Sequence, residues 1–451
     1  MQIIIVGCGK VGSYLVRELS EEDHDITIVD TNAEAVRNVA LEYDVMGIEG
    51  NGTSYTALEE AGIKTADILI AVTHSDEVNL LCCFMAKKEK CKTIARVRNP
   101  IYSAERDIFK QELGISMIIN PERTGAREML RLLQFPAAVD IGSFAKGGID
   151  LLSFRVNQNS ILAGKKISNI PELQKYQMLI CIAERGNEVY IPKGDYVIEE
   201  NDILSFIAFP GHAARIFREV GLYTNAVKSA MIIGMGQTAY YLAEMMLEAG
   251  MQVKIVEKDK QRCEQIAMEM PKADVILGNG SDVKLLDEEH LEQLDACVCT
   301  TDIDEENIIL SLYAKEKVKK KVVTKISHLE FNNVIQGLNL DSVVNPKEST
   351  AESILMYVRA MSNTTGSNVQ TLYRLKDDRV EAIEFIVHKD SRLIGIQLKD
   401  MKLKKNVLIA GIMRGGKLVI PGGTSSFEAE DSVIIATTNK GFLKLEDILE
   451  R

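Results

Sequence analysis

The chain has 451 residues, 46% of them apolar and 26% charged, with a net charge of −12. That length exceeds a single hydrophobic core and predicts about two to four domains, and the composition is that of a globular chain, not a disordered one. The acidic balance excludes a nucleic acid polymer as the main partner, because phosphate binding needs clustered Lys and Arg.

The N-terminus runs from Met1 and Gln2 directly into an Ile-rich stretch, with no basic leader and no small-residue cleavage site, so no signal peptide is expected. No stretch approaches the roughly 18 uninterrupted apolar residues of a membrane span. A soluble chain follows, with any membrane role coming through a partner. The eight cysteines lack metal-ligand spacing and fit a reducing compartment. Cys82, Cys83, Cys297 and Cys299 read as small core residues. The six His make no zinc pattern, so metal chemistry is not expected.

The first element is a strand over 3–6, followed by GCGKVG and a helical period over 12–20. The next strand, 26–29, ends at the acidic Asp30. This context gives the glycine motif its meaning. Gly7 allows the tight turn, Gly9 lets backbone approach a pyrophosphate, Gly12 lets helix pack on sheet, and the helix amides face the phosphates. Asp30 is placed to accept from adenosine ribose hydroxyls. It repels a 2′-phosphate, and no nearby Arg stands ready to receive one, so NAD(H) is preferred over NADP(H). ATP, ADP and AMP carry the same ribose and remain open. Lys10 adds a cation beside the phosphates, or is a solvated lysine at the helix start.

Further along come GNG at 50–52, a strand over 68–72 leading into a helical period over 76–88, and strands over 93–97 and 115–119 with a helical stretch, 101–112, between them. Thr73 lies at the carboxyl end of a central strand, where ligands bind in open α/β sheets. Asp76 and Asn79 read alternatively as a helix start. Arg96 ends another strand on that edge and reaches a phosphate or a surface partner. The first-lobe set is Gly7, Cys8, Gly9, Lys10, Val11, Gly12, Asp30, Asn51, Gly52, Thr73, His74 and Arg96. NPERTG then opens a helix with Asn120 as cap, Pro121 as first helical residue and Glu122 in the first turn. It ends near Pro136.

After Pro136 short strands alternate with turns, among them ERGN at 184–187. The whole pattern then repeats. Gly7 to Gly234 and Asp30 to Glu257 are one step of 227 residues, while Asn51 to Asn279 and Asp67 to Asp295 are a step of 228. The second motif, GMGQTA, places neutral Gln237 for Lys10 and Ala239 for the third glycine. The second set is Gly234, Met235, Gly236, Gln237, Thr238, Glu257, Asn279, Thr301, Asp302 and Lys325. KEKVKKKVV at 315–323 is the strongest positive patch, read as a solvated helix end or as an anion-docking surface. NPKEST opens the counterpart helix at Asn345, and RGGK at 414–417 matches the earlier hairpin turn.

The fold class is therefore α/β: two tandem copies of a Rossmann-type doubly wound parallel-sheet lobe, each followed by a small α+β lobe. The expected divisions are 1–120, 121–136 and 137–222, then 229–345, 346–363 and 364–451. No Ser/His/Asp, Cys/His or paired-carboxylate set accompanies the nucleotide motifs.

GCGKVG with Asp30, GNGTS, DILIAVTHSDEVNL, ARVRNP and IINPE, each with a later counterpart and a small β-rich lobe behind it, resemble the tandem RCK (regulator of potassium conductance, or KTN) family of Trk-type regulatory subunits. The resemblance implies a non-enzymatic cytoplasmic subunit, sited at the inner face of the membrane through its partner. That partner is a Trk-type integral-membrane potassium channel or transporter subunit. It further implies homo-oligomeric ring assembly, to tetramers, with NAD(H) or ATP/ADP in the Rossmann lobes changing the ring's shape and gating potassium flux. The helix after each last strand crosses to a neighbour, and the two halves of one chain form a pseudo-dimer. The competing readings are an NAD-dependent oxidoreductase with a duplicated cofactor domain and an oligomerisation scaffold with vestigial sites.

Overall fold

A computed structural model describes all residues except 23, 145–148, 158–159, 172, 174–177, 187, 209–224, 328–336, 339, 363–368, 376–378 and 451. The last residue of the turn expected at 184–187 and the lobe limits expected at 222 and 363–364 lie outside the described residues.

The first lobe runs β1 (Gln2–Val6), α1 (Lys10–Ser20), β2 (Asp25–Asp30), α2 (Ala33–Tyr43), β3 (Met46–Glu49), α3 (Tyr55–Glu60), β4 (Ile68–Ala71), α4 (Asp76–Lys87), β5 (Lys92–Arg96), α5 (Pro100–Ala104), α6 (Arg106–Leu113) and β6 (Met117–Ile119). The sheet order is β3-β2-β1-β4-β5-β6, and every pairing is parallel. Ile3 to Val6 and Ile68 to Ala71 are buried throughout, as strands covered on both faces require. The chain reverses its winding between β1 and β4, so their carboxyl ends diverge and leave a crevice. The edge strand β3 is short and mostly exposed, and its MGIE sequence carries no β-branched alternation that would mark it as a strand.

α7 (Pro121–Gln134) leaves this sheet, capped by Asn120 Oδ1 accepting from Arg123 N at 2.9 Å. An antiparallel sheet of order β10-β9-β11-β8-β7 follows, from β7 (Ala138–Phe144), β8 (Ile149–Arg155), β9 (Leu179–Arg185), β10 (Glu188–Tyr190) and β11 (Ile203–Ala208).

The second half repeats this plan: β12 (Ser229–Ile233), α8 (Gln237–Glu248), β13 (Gln252–Glu257), α9 (Lys260–Glu269), β14 (Asp274–Leu277), α10 (Val283–Glu288), β15 (Ala296–Cys299), α11 (Asp304–Lys317), β16 (Lys321–Lys325) and β17 (Ser342–Val344). Its parallel order is β14-β13-β12-β15-β16-β17. α12 (Pro346–Ser362) leads to a second antiparallel sheet, β18-β19-β22-β20-β21, from β18 (Val369–Leu375), β19 (Val380–Ile386), β20 (Val407–Arg414), β21 (Lys417–Val419) and β22 (Ser432–Thr437). Gly415 and Gly416 take φ of +53° and +77° in the β20–β21 turn, the left-handed pair that a two-residue type I′ hairpin needs.

The two halves exchange their connecting helices. Ala351, Ile354, Leu355 and Val358 form an i, i+3, i+4, i+7 stripe on α12, and this stripe is buried in the core of the first lobe with Ile3, Ile5, Leu15 and Leu19. Ala126, Met129, Leu132 and Leu133 of α7 are buried instead with Ala230, Ile232, Leu242 and Met246 of the second lobe. Each buried Leu, Ile or Met contributes about 1.5–3 kcal/mol, so neither parallel lobe is complete without the other half. The helices meet where Gly125 faces Pro346; a Cβ on Gly125 would come within 2.7 Å of the proline ring. The antiparallel sheets also join, with Phe144, Leu151, Ile182 and Ile207 packed among Val380, Ala382, Ala410 and Ile434.

The lysine run at 315–323 is taken up structurally. Lys315, Lys317 and Lys320 pair with Asp341, Asp287 and Asp295, and Lys321 is buried, donating to Ala138 O at 2.7 Å. Cys82, Cys83, Cys297 and Cys299 are fully buried core residues. Among the described residues no helix is long and apolar enough to cross a membrane.

Two carboxyls lie within the helix junction. Glu128 of α7 accepts from Ser349 Oγ, and Glu352 of α12 accepts from Tyr14 Oη at 3.0 Å. Burial pushes both up to about 7. A carboxyl raised in the folded state contributes stability that is full below its unfolded pKa and is lost as pH rises through the folded value. Denaturant unfolding should therefore show greater stability at pH 5 than at pH 8, by on the order of 1–3 kcal/mol. Glu352→Gln should flatten that slope, and an unchanged slope would refute the assignment.

Candidate nucleotide sites

Both sites form at the carboxyl ends of their parallel strands, and each begins with a glycine in a conformation other residues resist. Gly7 has φ +114° and its α-carbon faces Thr73, where a Cβ would lie 3.0 Å from Thr73 N. Gly234 has φ +86° against Thr301. The turn thus brings the glycine loop directly against the end of β4 or β15, which is why Thr73 and Thr301 share the sites. A Cβ on Gly9 would meet nothing within 4 Å, so this part of the loop is open toward the crevice.

The carboxylates sit at the ends of β2 and β13. Asp30 Oδ2 accepts from Cys8 N at 2.6 Å and Oδ1 from Asn32 N at 2.9 Å; Glu257 Oε2 accepts from Met235 N at 2.8 Å and Oε1 from Asp259 N at 2.9 Å. Each carboxylate oxygen has a further lone pair available. These bonds orient the acid beside the loop. Burial, with the Asp30 charge next to it, pushes the Cys8 thiol up to about 12, so it stays protonated.

Val11, Gly12 and Thr238 are buried on the helix side, where they set packing. A Cβ on Gly12 would collide with Gly7 O, yet the second lobe carries Ala239 at that position. In the second lobe the Gly234 carbonyl is held by Thr300, whose Oγ1 donates to Gly234 O at 2.8 Å and to Ile233 O at 3.1 Å. Val72 occupies the matching place in the first lobe and has no hydroxyl to hold the turn in that setting. Gly52 and Gly280 pack against Val6 and Ile233, where a Cβ would clash. Asn51 and Asn279 are exposed beside the β2 and β13 ends and cap their own turns, accepting from Thr53 N and Ser281 N.

Two buried asparagines shape the far wall. Asn79 Oδ1 accepts from Thr73 N at 2.8 Å while its Nδ2 donates to Arg96 O at 2.9 Å; Asn307 does the same for Thr301 N, at 2.8 Å, and for Lys325 O, at 3.1 Å. Asp76 accepts from Arg98 N and Asn99 N, and Asp304 from Ser327 N. Asp76 opens α4 and Asn79 lies in its first turn, in keeping with the helix-start alternative. They also tie the β4 and β5 loops together, and their repetition at one spacing was the available signal.

Arg96 and Lys325 end β5 and β16. Burial lowers the pKa of each, and Arg96 Nε is buried with no hydrogen-bond partner, a donor fitted to an anion. Lys325 stands 3.9 Å from Asp302 Oδ1, whereas its counterpart Arg96 has His74 in the corresponding loop position. His74 is exposed, and its carbonyl accepts from the Arg98 guanidinium. It joins Asp76, Arg98 and Glu122 in lining a cleft of about 820 Å³, whose opposite wall is Gln237, Tyr240 and Arg262 of the second lobe. The two sites are therefore neighbours across the joint between the halves. Amides of the glycine loops, the Asp30 and Glu257 carboxylates, and the orphaned Arg96 donor fit the phosphate and ribose of an adenine nucleotide.

Gly12→Ala should destabilise the chain by about 1–3 kcal/mol in denaturant unfolding, as expected for overpacking. Ala239→Gly should cost about 1 kcal/mol or less. Adding Val72→Thr to Gly12→Ala should recover part of the loss; an additive double variant would refute the role given to Thr300.

Residues 3–121 and 230–346 match the TrkA-N domain, and residues 151–221 and 382–450 match the TrkA-C domain. The chain is 32% identical over 444 residues to the Trk system potassium uptake protein TrkA homolog 1 of Methanosarcina mazei, covering 96% of this chain and 97% of the relative. It is 31% identical over 452 residues to the Trk system potassium uptake protein TrkA of Vibrio alginolyticus, covering 98% and 97%. Among solved structures its fold is similar to that of the GsuK channel bound to NAD, with a TM-score of 0.62 at 16% identity over 97% of this chain and 76% of that one. With both domain types matched twice and relatives alike over nearly their full length, the chain belongs to the TrkA family of Trk system potassium uptake proteins.

Proposed function

We propose that this chain is the regulatory subunit of a Trk-type potassium uptake system, that it binds NAD(H) or ATP/ADP in its Rossmann lobes, and that the bound nucleotide gates potassium flux through a membrane subunit. The observation that supports this reading is that each half carries a glycine loop and strand-end acid beside a helix exchanged with the other half. A ligand shifts a conformational equilibrium only by its differential affinity for the two states. Here the ligand would lie against the joint that relates one half to the other. The second-lobe residues Gly234, Gly236, Glu257, Thr301 and Lys325 are proposed to form an equivalent site.

The site of action is the cytoplasmic face of the membrane, reached through the membrane partner. Assembly into a homo-tetrameric ring accords with the apolar residues left exposed on the first lobe, Leu81 and Phe84 on α4, Ile101 on α5 and Ile108 on α6. The protein acts by binding, without chemistry on the nucleotide.

Calorimetric titration of Asp30→Ala and Glu257→Ala with NAD, NADH, ADP and ATP tests the reading. Loss of carboxylate bonds to ribose, about 1.5–3 kcal/mol in all, should weaken binding about ten- to a hundredfold in the altered lobe. Wild-type affinity for every nucleotide in Asp30→Ala would refute the first site, and turnover of NADH with a small carbonyl substrate would favour an oxidoreductase.

A further inference from the structure

The exchanged helices place different residues beside the two glycine loops. α12 lies alongside α1 in parallel direction: Tyr14 of α1 bonds to Glu352, and Arg359 pairs at 2.6 Å with Glu22, just past the end of α1, so the chain eight residues on from Tyr14 meets α12 seven residues on from Glu352. Continued one turn toward the N-termini, this register sets Lys347 beside Lys10, at the mouth of the first glycine loop. Burial and then the Lys10 ammonium hold the Lys347 ammonium below its ordinary range, with Arg96 and Lys325 adding to the repulsion and Asp304 opposing it. Among the described residues neither lysine forms an ion pair.

The corresponding position on α7 is Glu122, since NPE at 120–122 matches NPK at 345–347. Glu122 lines the cleft with Gln237, the counterpart of Lys10. Two lysines thus flank the first glycine loop where a glutamine and a glutamate flank the second. Arg96, with its buried unpartnered Nε, completes the first group from β5. Three cations from three separate elements converge on one crevice, where the Glu122 and Asp76 carboxylates act on Arg96 and Asp304 acts on Lys347, while Lys10 and Lys347 repel one another.

We propose that Lys347, carried into the first lobe by the second half of the chain, completes with Lys10 and Arg96 a subsite for the terminal phosphates of ADP or ATP, and that the second lobe lacks this subsite. This inference rests on the reading of the first lobe as an adenine-nucleotide site. A phosphate there touches α12 directly, at the helix that runs on into the second antiparallel sheet. Binding in one half is thereby felt by the other through one side chain.

The test is calorimetric titration of the full chain with ATP, ADP and AMP, comparing wild type, Lys347→Ala, Lys347→Glu, Lys347→Arg and Asp30→Ala. Lys347→Ala should weaken ATP and ADP about tenfold, and Lys347→Glu should weaken them further. AMP should change by less than about twofold, and Lys347→Arg should stay close to wild type. Equal loss for AMP and ATP would overturn the inference, because it would mean that Lys347 acts through structure. Full ATP affinity in Lys347→Glu, with binding lost in Asp30→Ala, would overturn the inference while leaving the nucleotide site in place. Unchanged binding in Asp30→Ala would overturn both.

Discussion

The constraint on which this molecule depends is that neither parallel sheet can cover its own helix face. The apolar stripe of α12 is buried in the first lobe and that of α7 in the second, so each core is finished by the other half of the chain. A buried stripe of three or four large apolar side chains is worth several kcal/mol, a sizeable part of the net stability of a domain. The exchange therefore joins the halves more firmly than the polar contacts around it. Pairing of the two antiparallel sheets, with Phe144 and Ile434 in one cluster, adds a second joint at the other end.

From this exchange follows the position of both sites. Because α7 and α12 cross at Gly125 and Pro346, their first turns lie between the two crevices, and Glu122 lines the cleft that both halves share. Tyr241 illustrates the same geometry from the other direction, since its hydroxyl meets Asn120 and Arg98 of the first half. A duplicated pattern has thus become one composite centre. Its two parts share a scaffold of Asn79 and Asn307, and they differ in charge.

Inequality between the copies has a physical order. The backbone devices are the same, a positive-φ glycine and an acid bonded to the following amide. Differences fall on side chains that face the crevice or adjust the turn: Lys10 against Gln237, His74 against Asp302, Val72 against Thr300 and Glu122 against Lys347. In the second lobe Thr300 holds the Gly234 carbonyl in the turn that packs against Ala239. The antiparallel lobes kept their polar cluster intact in both copies, Arg185 with Asp202 and Glu199, and Arg414 with Asp431 and Glu428.

By itself the sequence determined the duplication, the parallel sheets and the loop-and-acid pairs, because these rest on local patterns: β-branched runs, glycines at fixed spacing and a carboxylate at a strand end. Strand β3 has no such pattern, because its MGIE residues are those of an exposed edge. The lysine run at 315–323 looked like a surface patch, and only the fold set it against Asp287, Asp295 and Asp341 and buried Lys321. Which core each connecting helix enters was likewise decided in three dimensions, since an amphipathic stripe states that a face must be buried and leaves the partner unstated. Lys347 and Glu122 were legible as first-turn residues of two similar helices. Their opposition across the joint between the halves exists only once those helices have changed places.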